Sequence, residues 1–190
     1  MRAILVLTLS VALGASASAA LSQSLPALPS GFEADQQAEQ IMAQMRASGV
    51  ADGVRGTKAN DSMSDCFGDP KIIFAYGWSL NPAGQMVIDM MLKAPPDPAS
   101  TSPQTGVLDE PVSKQAYNGG VLTWRKQTWP VITGHPCKDS HVIFYSGQWT
   151  GMAGNKLVGI SVDRLYNSQS KGQAWIDEYI EKVKGALNSK

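Results

Sequence analysis

Seven consecutive residues, His135-Pro136-Cys137-Lys138-Asp139-Ser140-His141, contain the chain's only two histidines and one of its two cysteines. His135, Cys137, Asp139 and His141 fall at every second position, which in an extended strand puts four metal-competent side chains on one face. Such a set could hold zinc or copper, with His135, Asp139 and His141 as the candidate ligands, in a small metal-dependent hydrolase or a metal-binding protein. Pro136 interrupts regular extension, and Cys137 has a competing use. The other cysteine is Cys66, and an even pair in an oxidising compartment is most simply a disulfide. A Cys66–Cys137 bond would close a loop of about 70 residues and restrict the unfolded chain by about 4 kcal/mol.

A second group of side chains suits recognition rather than reaction. Thr123, Arg125, Gln127 and Trp129 alternate along one candidate strand and share a face, whereas Trp124 and Trp129 point to opposite faces. Trp149 stands beside a glycine-rich stretch, Thr150 to Asn155. Indole rings next to a guanidinium can stack on a sugar or an aromatic ligand, or anchor a protein partner. Arg125, Trp129 and Trp149 are therefore the expected ligand- or partner-binding residues, with Gly151 to Asn155 shaping the rim. Trp78, Trp124 and Trp175 are expected in the core.

Signatures of catalysis and of cofactors are absent. No G-x-S-x-G, H-E-x-x-H, Walker A or dinucleotide-binding pattern occurs, so no cofactor is expected. Ser168-Gln169-Ser170-Lys171 has the form S-x-x-K without its companion motifs. Met86, Met90 and Met91 could offer soft ligands to copper, but thioethers more often fill irregular gaps in a core.

The compartment follows from the N-terminus. Met1-Arg2 leads into an apolar run from Ala3 to Ala15, closed by the small residues Ala15-Ser16-Ala17-Ser18-Ala19-Ala20. A charged start, an apolar core and an A-x-A site are what a signal peptidase requires. The run of about 13 residues falls short of the roughly 20 that span a bilayer. Residues 1–19 are thus expected to be a cleaved signal peptide, 20–30 a flexible lead-in and 31–190 one globular domain. The mature chain would carry no transmembrane anchor and be periplasmic or extracellular.

Charge narrows the partners. The chain has 16 basic and 16 acidic residues, and loss of Arg2 leaves fifteen basic ones and a net charge of −1. Without a clustered basic excess, nucleic acid is not an expected partner.

The positioning elements are read from periodicity. Ser30-Gly31-Phe32-Glu33 has capping-box form, and Ala34, Ala38, Ile41 and Met45 repeat at helical spacing up to Gly49. This predicts a helix over 31–48, followed by a loop over 50–70. Lys71–Ser79 and Gln85–Lys93 alternate as two strands of a hairpin around Asn81-Pro82-Ala83-Gly84. The proline-rich stretch from Ala94 to Pro111 reads as a long loop. Three further strands are expected over 121–129, 141–149 and 156–166. A final helix runs to about Asn188, with Ser170 to Gln173 as its capping box and Trp175, Ile176, Tyr179, Ile180, Val183 and Leu187 as its stripe.

These elements predict an α+β fold: an antiparallel, meander-like sheet of about five strands with N- and C-terminal helices packed on it. The expected function is an exported, non-catalytic binding or interaction module. Its partner would be a protein, a glycan or a small-molecule ligand of the cell envelope or exterior. The metal-dependent reading centred on His135–His141 is the alternative, and a structural envelope protein is a further one.

Overall fold

A computed structural model describes residues 25–60, 71–130 and 142–188. The elements follow the order β1 (Glu33–Ala34), α1 (Gln36–Ala47), β2 (Ala51–Ala59), β3 (Lys71–Leu80), α2 (Gly84–Lys93) and β4 (Ser100–Thr101). Then come β5 (Leu108–Tyr117), β6 (Gly120–Trp129), β7 (Val142–Ala153), β8 (Lys156–Tyr166) and α3 (Gln169–Asn188). The fold is α+β, and one antiparallel sheet runs in the order β1-β2-β3-β8-β7-β6-β5-β4. That is eight strands rather than about five. Two of the additional ones, β1 and β4, are only two residues long.

The helix α3 covers one face of the sheet. Its stripe Ile176, Tyr179, Ile180, Val183 and Leu187 is buried, with Trp175 packed partly buried beside it. Opposite lie Phe74, Tyr76, Leu122, Trp124, Val158, Ile160 and Val162. Each fully buried aliphatic side chain of such a cluster favours folding by about 1.5–3 kcal/mol. Gly172 lets the helix approach: a Cβ there would meet Leu165 and come within 2.9 Å of the Trp124 ring. Gln173 accepts from Trp124 Nε1 at 3.0 Å and donates to Asp177, so it works on the sheet side and not in a capping box.

A bulge keeps the core face continuous. Tyr145 pairs with Leu165 and Gly147 with Val162, so β8 carries one extra residue across Asp163–Arg164, where Arg164 adopts φ +60°. Val162 and Leu165 thereby point to the same side.

Several local expectations are corrected. Residues 51–59 are a strand, not a loop, although they contain Gly53, Gly56 and Asp52. The glycines that argued for a loop permit close packing: a Cβ on Gly56 would sit 2.6 Å from Leu28 Cδ1. Residues 84–93 are a helix, not the second strand of a hairpin. A run of Gln, Met, Asp, Leu and Lys around only two β-branched residues favours a helix once one side has a sheet to rest on. Asn81 Oδ1 accepts from Ala83 N at 3.0 Å, so the expected turn chemistry starts this helix.

The first helix starts at Gln36, capped by Asp35 Oδ1 on the amides of Gln37 and Ala38. Ser30 and Gly31 form a turn before it instead of a capping box. Gly49 ends it at φ +68°. Residues 108–111 of the proline-rich stretch belong to β5, and β7 continues through the glycine-rich stretch to Ala153. Leu25 and Leu28, within the expected lead-in, pack against the core together with Phe32. Tyr76 Oη donates to Pro26 O, and Tyr179 Oη to Ala27 O.

Candidate functional site

The face opposite α3 is only partly covered. The two remaining helices leave its centre open: α1 lies along β2, and α2 lies over β5, β6 and β7. Gly84 brings the start of α2 against Met152 Sδ. Beside α1, strands β3 and β8 form the floor of a groove of about 780 Å³, within the usual size range of small-molecule sites. One wall is the α1 surface of Ala38, Ile41 and Met42. No α1 residue is fully buried, and Ile41 remains 50% exposed.

Strand register lays the floor out in three cross-strand rows. The first is Arg55-Ala75-Ser161-Gln148, the second Gly53-Gly77-Gly159-Thr150, and the third Ala51-Ser79-Leu157. The middle row is nearly bare backbone. Two of its glycines answer to their neighbours: a Cβ on Gly77 would lie 2.5 Å from Asp52 O, and one on Gly53 would lie 3.2 Å from Met42 Sδ. Gly159 is different. Its φ is not positive, and a Cβ built there meets nothing within 4 Å.

Ion pairs fix the α1 wall at both ends. Arg46 Nε donates to Asp52 Oδ1 at 2.8 Å, and Asp52 is buried. The guanidinium also reaches Glu39 at 3.2 Å. The Arg46 pKa is raised, with the hydrogen bond to Asp52 as the largest cause. At the other end Arg55 Nε stands 3.5 Å from Asp35 Oδ2.

The three expected binding residues do not form one surface. Arg125 and Trp129 do share the face opposite α3. Arg125 is engaged there: its Nε donates to Asp109 Oδ1 at 2.7 Å, and its terminal nitrogens donate to Asp97 O and Pro98 O. It pins the proline-rich segment to β5. Trp129 lies against Phe144, ring centroids 6.0 Å apart, and Phe144 packs on Tyr166. Trp129 also lines a shallow depression with Ser100 and Gln104.

Trp149 is a correction. It is 0% exposed on the α3 face, and its Nε1 donates to Tyr117 O at 2.8 Å. It pairs across strands with Leu122, and residues 122 and 129 of one strand face opposite ways. Trp124 is core as expected, and Trp78 is partly buried under Lys156, whose Nζ is 4.3 Å from the ring centroid.

Residues 1–24, Cys66, His135, Cys137, Asp139 and His141 lie outside the described residues. Among the described residues, no group of three or more His, Cys, Asp or Glu side chains is placed to hold a metal ion. Among the same residues, no helix is long and apolar enough to cross a membrane. No family model, curated protein or solved structure matches this chain.

The groove residues escaped the sequence reading, although one signal was present. A glycine isolated within a strand, as Gly159 is between Val158 and Ile160, often marks close approach of a ligand or another backbone.

Proposed function

We propose that this chain is an exported, non-catalytic binding module, stapled by a Cys66–Cys137 disulfide. Its ligand is a small molecule held in the groove beside α1, over β3 and β8. One observation carries the reading: Gly159. Glycine weakens a strand interior, so it persists where the backbone conformation or a neighbour demands it. At Gly159 the protein itself demands neither. A ligand lying flat on the floor supplies the missing reason.

The test is Gly159→Val, read with anilinonaphthalene sulfonate as the probe. Valine suits a strand better than glycine by up to about 1 kcal/mol, and its Cβ meets nothing within 4 Å. The variant keeps or gains thermal stability while its branched side chain fills the floor. Probe affinity is expected to fall at least tenfold. Equal probe binding by the variant, or none by the unaltered protein, would refute the groove.

A further inference from the structure

The groove is chemically polarised along its length, and we propose that it takes a carboxylate-headed aliphatic amphiphile of the fatty-acid class. This rests on the groove reading above and names its ligand. The carboxylate sits on the Arg55 row, and the chain runs over the glycine row toward Leu157.

Three features point the same way. The floor row at one end carries the donors Arg55, Ser161 and Gln148 beside Ala75, while the row at the other end carries Ala51 and Leu157 with Ser79 as its one hydroxyl. The α1 wall repeats the gradient, from Asp35 and Gln37 beside the polar row to Ile41 and Met42 beyond it. From Arg55 to Ala51 is four strand residues, or about 13 Å, a length suited to an extended alkyl chain and not to a compact polar metabolite.

The state of Arg55 identifies the head. Its side chain is 47% exposed, its ion pair with Asp35 is long at 3.5 Å, and its guanidinium makes no hydrogen bond among the described residues. Asp35 spends Oδ1 on the first amides of α1, and its Oδ2 faces only one edge of the guanidinium. The terminal nitrogens remain a planar two-pronged donor, the geometry that matches a carboxylate. Arg55 and Asp35 together are neutral, so a singly charged head adds less unbalanced charge than a doubly charged phosphate would.

The test compares decanoate with decanol, which share a chain and differ in the head. Both are titrated calorimetrically into the exported protein and into Arg55→Gln, Arg55→Lys and Gly159→Val variants. The unaltered protein should bind decanoate at least tenfold more tightly than decanol. Arg55→Gln should lower decanoate to the affinity of decanol and leave decanol unchanged. Arg55→Lys should recover only part of the preference, because an ammonium cannot bond bidentately. Gly159→Val should abolish both.

Equal affinities in the unaltered protein, or a preference that survives Arg55→Gln, would overturn the head assignment. If Gly159→Val still abolished binding, the groove would stand. If neither compound bound, the amphiphile would be wrong, and the sulfonate probe would judge the groove separately.

Discussion

Trp149→Ala removes a ring that touches no solvent and fills the space over Gly151, where a Cβ would collide with it. Truncating a fully buried tryptophan costs about 3–5 kcal/mol in lost transfer and cavity terms. The change also removes the hydrogen bond that Nε1 donates to Tyr117 O at 2.8 Å, adding about 0.5–1.5 kcal/mol. Against a total stability of about 5–15 kcal/mol for a domain, the variant should be severely destabilised or unfolded. Trp149→Phe keeps most of the volume but not the donor, and should lose about 1–3 kcal/mol. Urea denaturation followed by circular dichroism measures both. A loss below about 1 kcal/mol for Trp149→Ala, joined to weaker probe binding in a folded protein, would refute the core assignment and restore Trp149 to a binding surface.

The exported chain should begin near Ala20, and non-reducing peptide mapping should recover Cys66 joined to Cys137; two alkylatable thiols in the native protein would exclude the bond. Residues 71 and 142, where the segments carrying the two cysteines return to the sheet, begin β3 and β7 at the same end with only β8 between them, about 10 Å apart. Replacing either cysteine should cost about 2–4 kcal/mol. Burial is the largest cause raising the pKa of both Tyr76 and Tyr179. The stability this contributes is complete below the unfolded tyrosine value of about 10 and is lost as pH rises from there toward the folded values. Spectrophotometric titration should show these two rings ionising only with alkaline unfolding, and Tyr76→Phe should reduce the loss of stability above pH 10. Ionisation of all five tyrosines in the folded protein would contradict their burial.

Much of the fold was legible because local chemistry and tertiary packing agreed. The stripe from Trp175 to Leu187 specifies α3 by its period, and the β-branched and aromatic alternation of 71–79 specifies β3. Trp124 and Trp129 were separated by parity alone. Where the two levels disagreed, the sequence reading failed. Gly53, Gly56 and Asp52 read as loop, yet β2 needs small residues because Leu28 presses on Gly56 and the β3 backbone runs close by. Met86 to Leu92 satisfies both a strand and a helix, and the sheet face available to Gly84 and Ile88 decides for the helix.

The candidate site depended on tertiary structure more than the fold did. Period within a strand tells which residues share a face, but register between strands is set by pairing partners far away in sequence. Thus Trp149 and Trp129, both assigned to recognition, lie on opposite faces because β7 pairs Trp149 with Leu122. Arg55, Gly77, Gly159 and Gln148 come from four different strands, and nothing local connects them. Their convergence under α1 follows from the antiparallel order β2-β3-β8-β7, which brings β8 home beside β3 across more than 70 residues of chain. The sequence by itself determined the amphipathic α3 and the aromatic core strands. The groove and its polarity exist only once long-range pairing has placed those strands side by side.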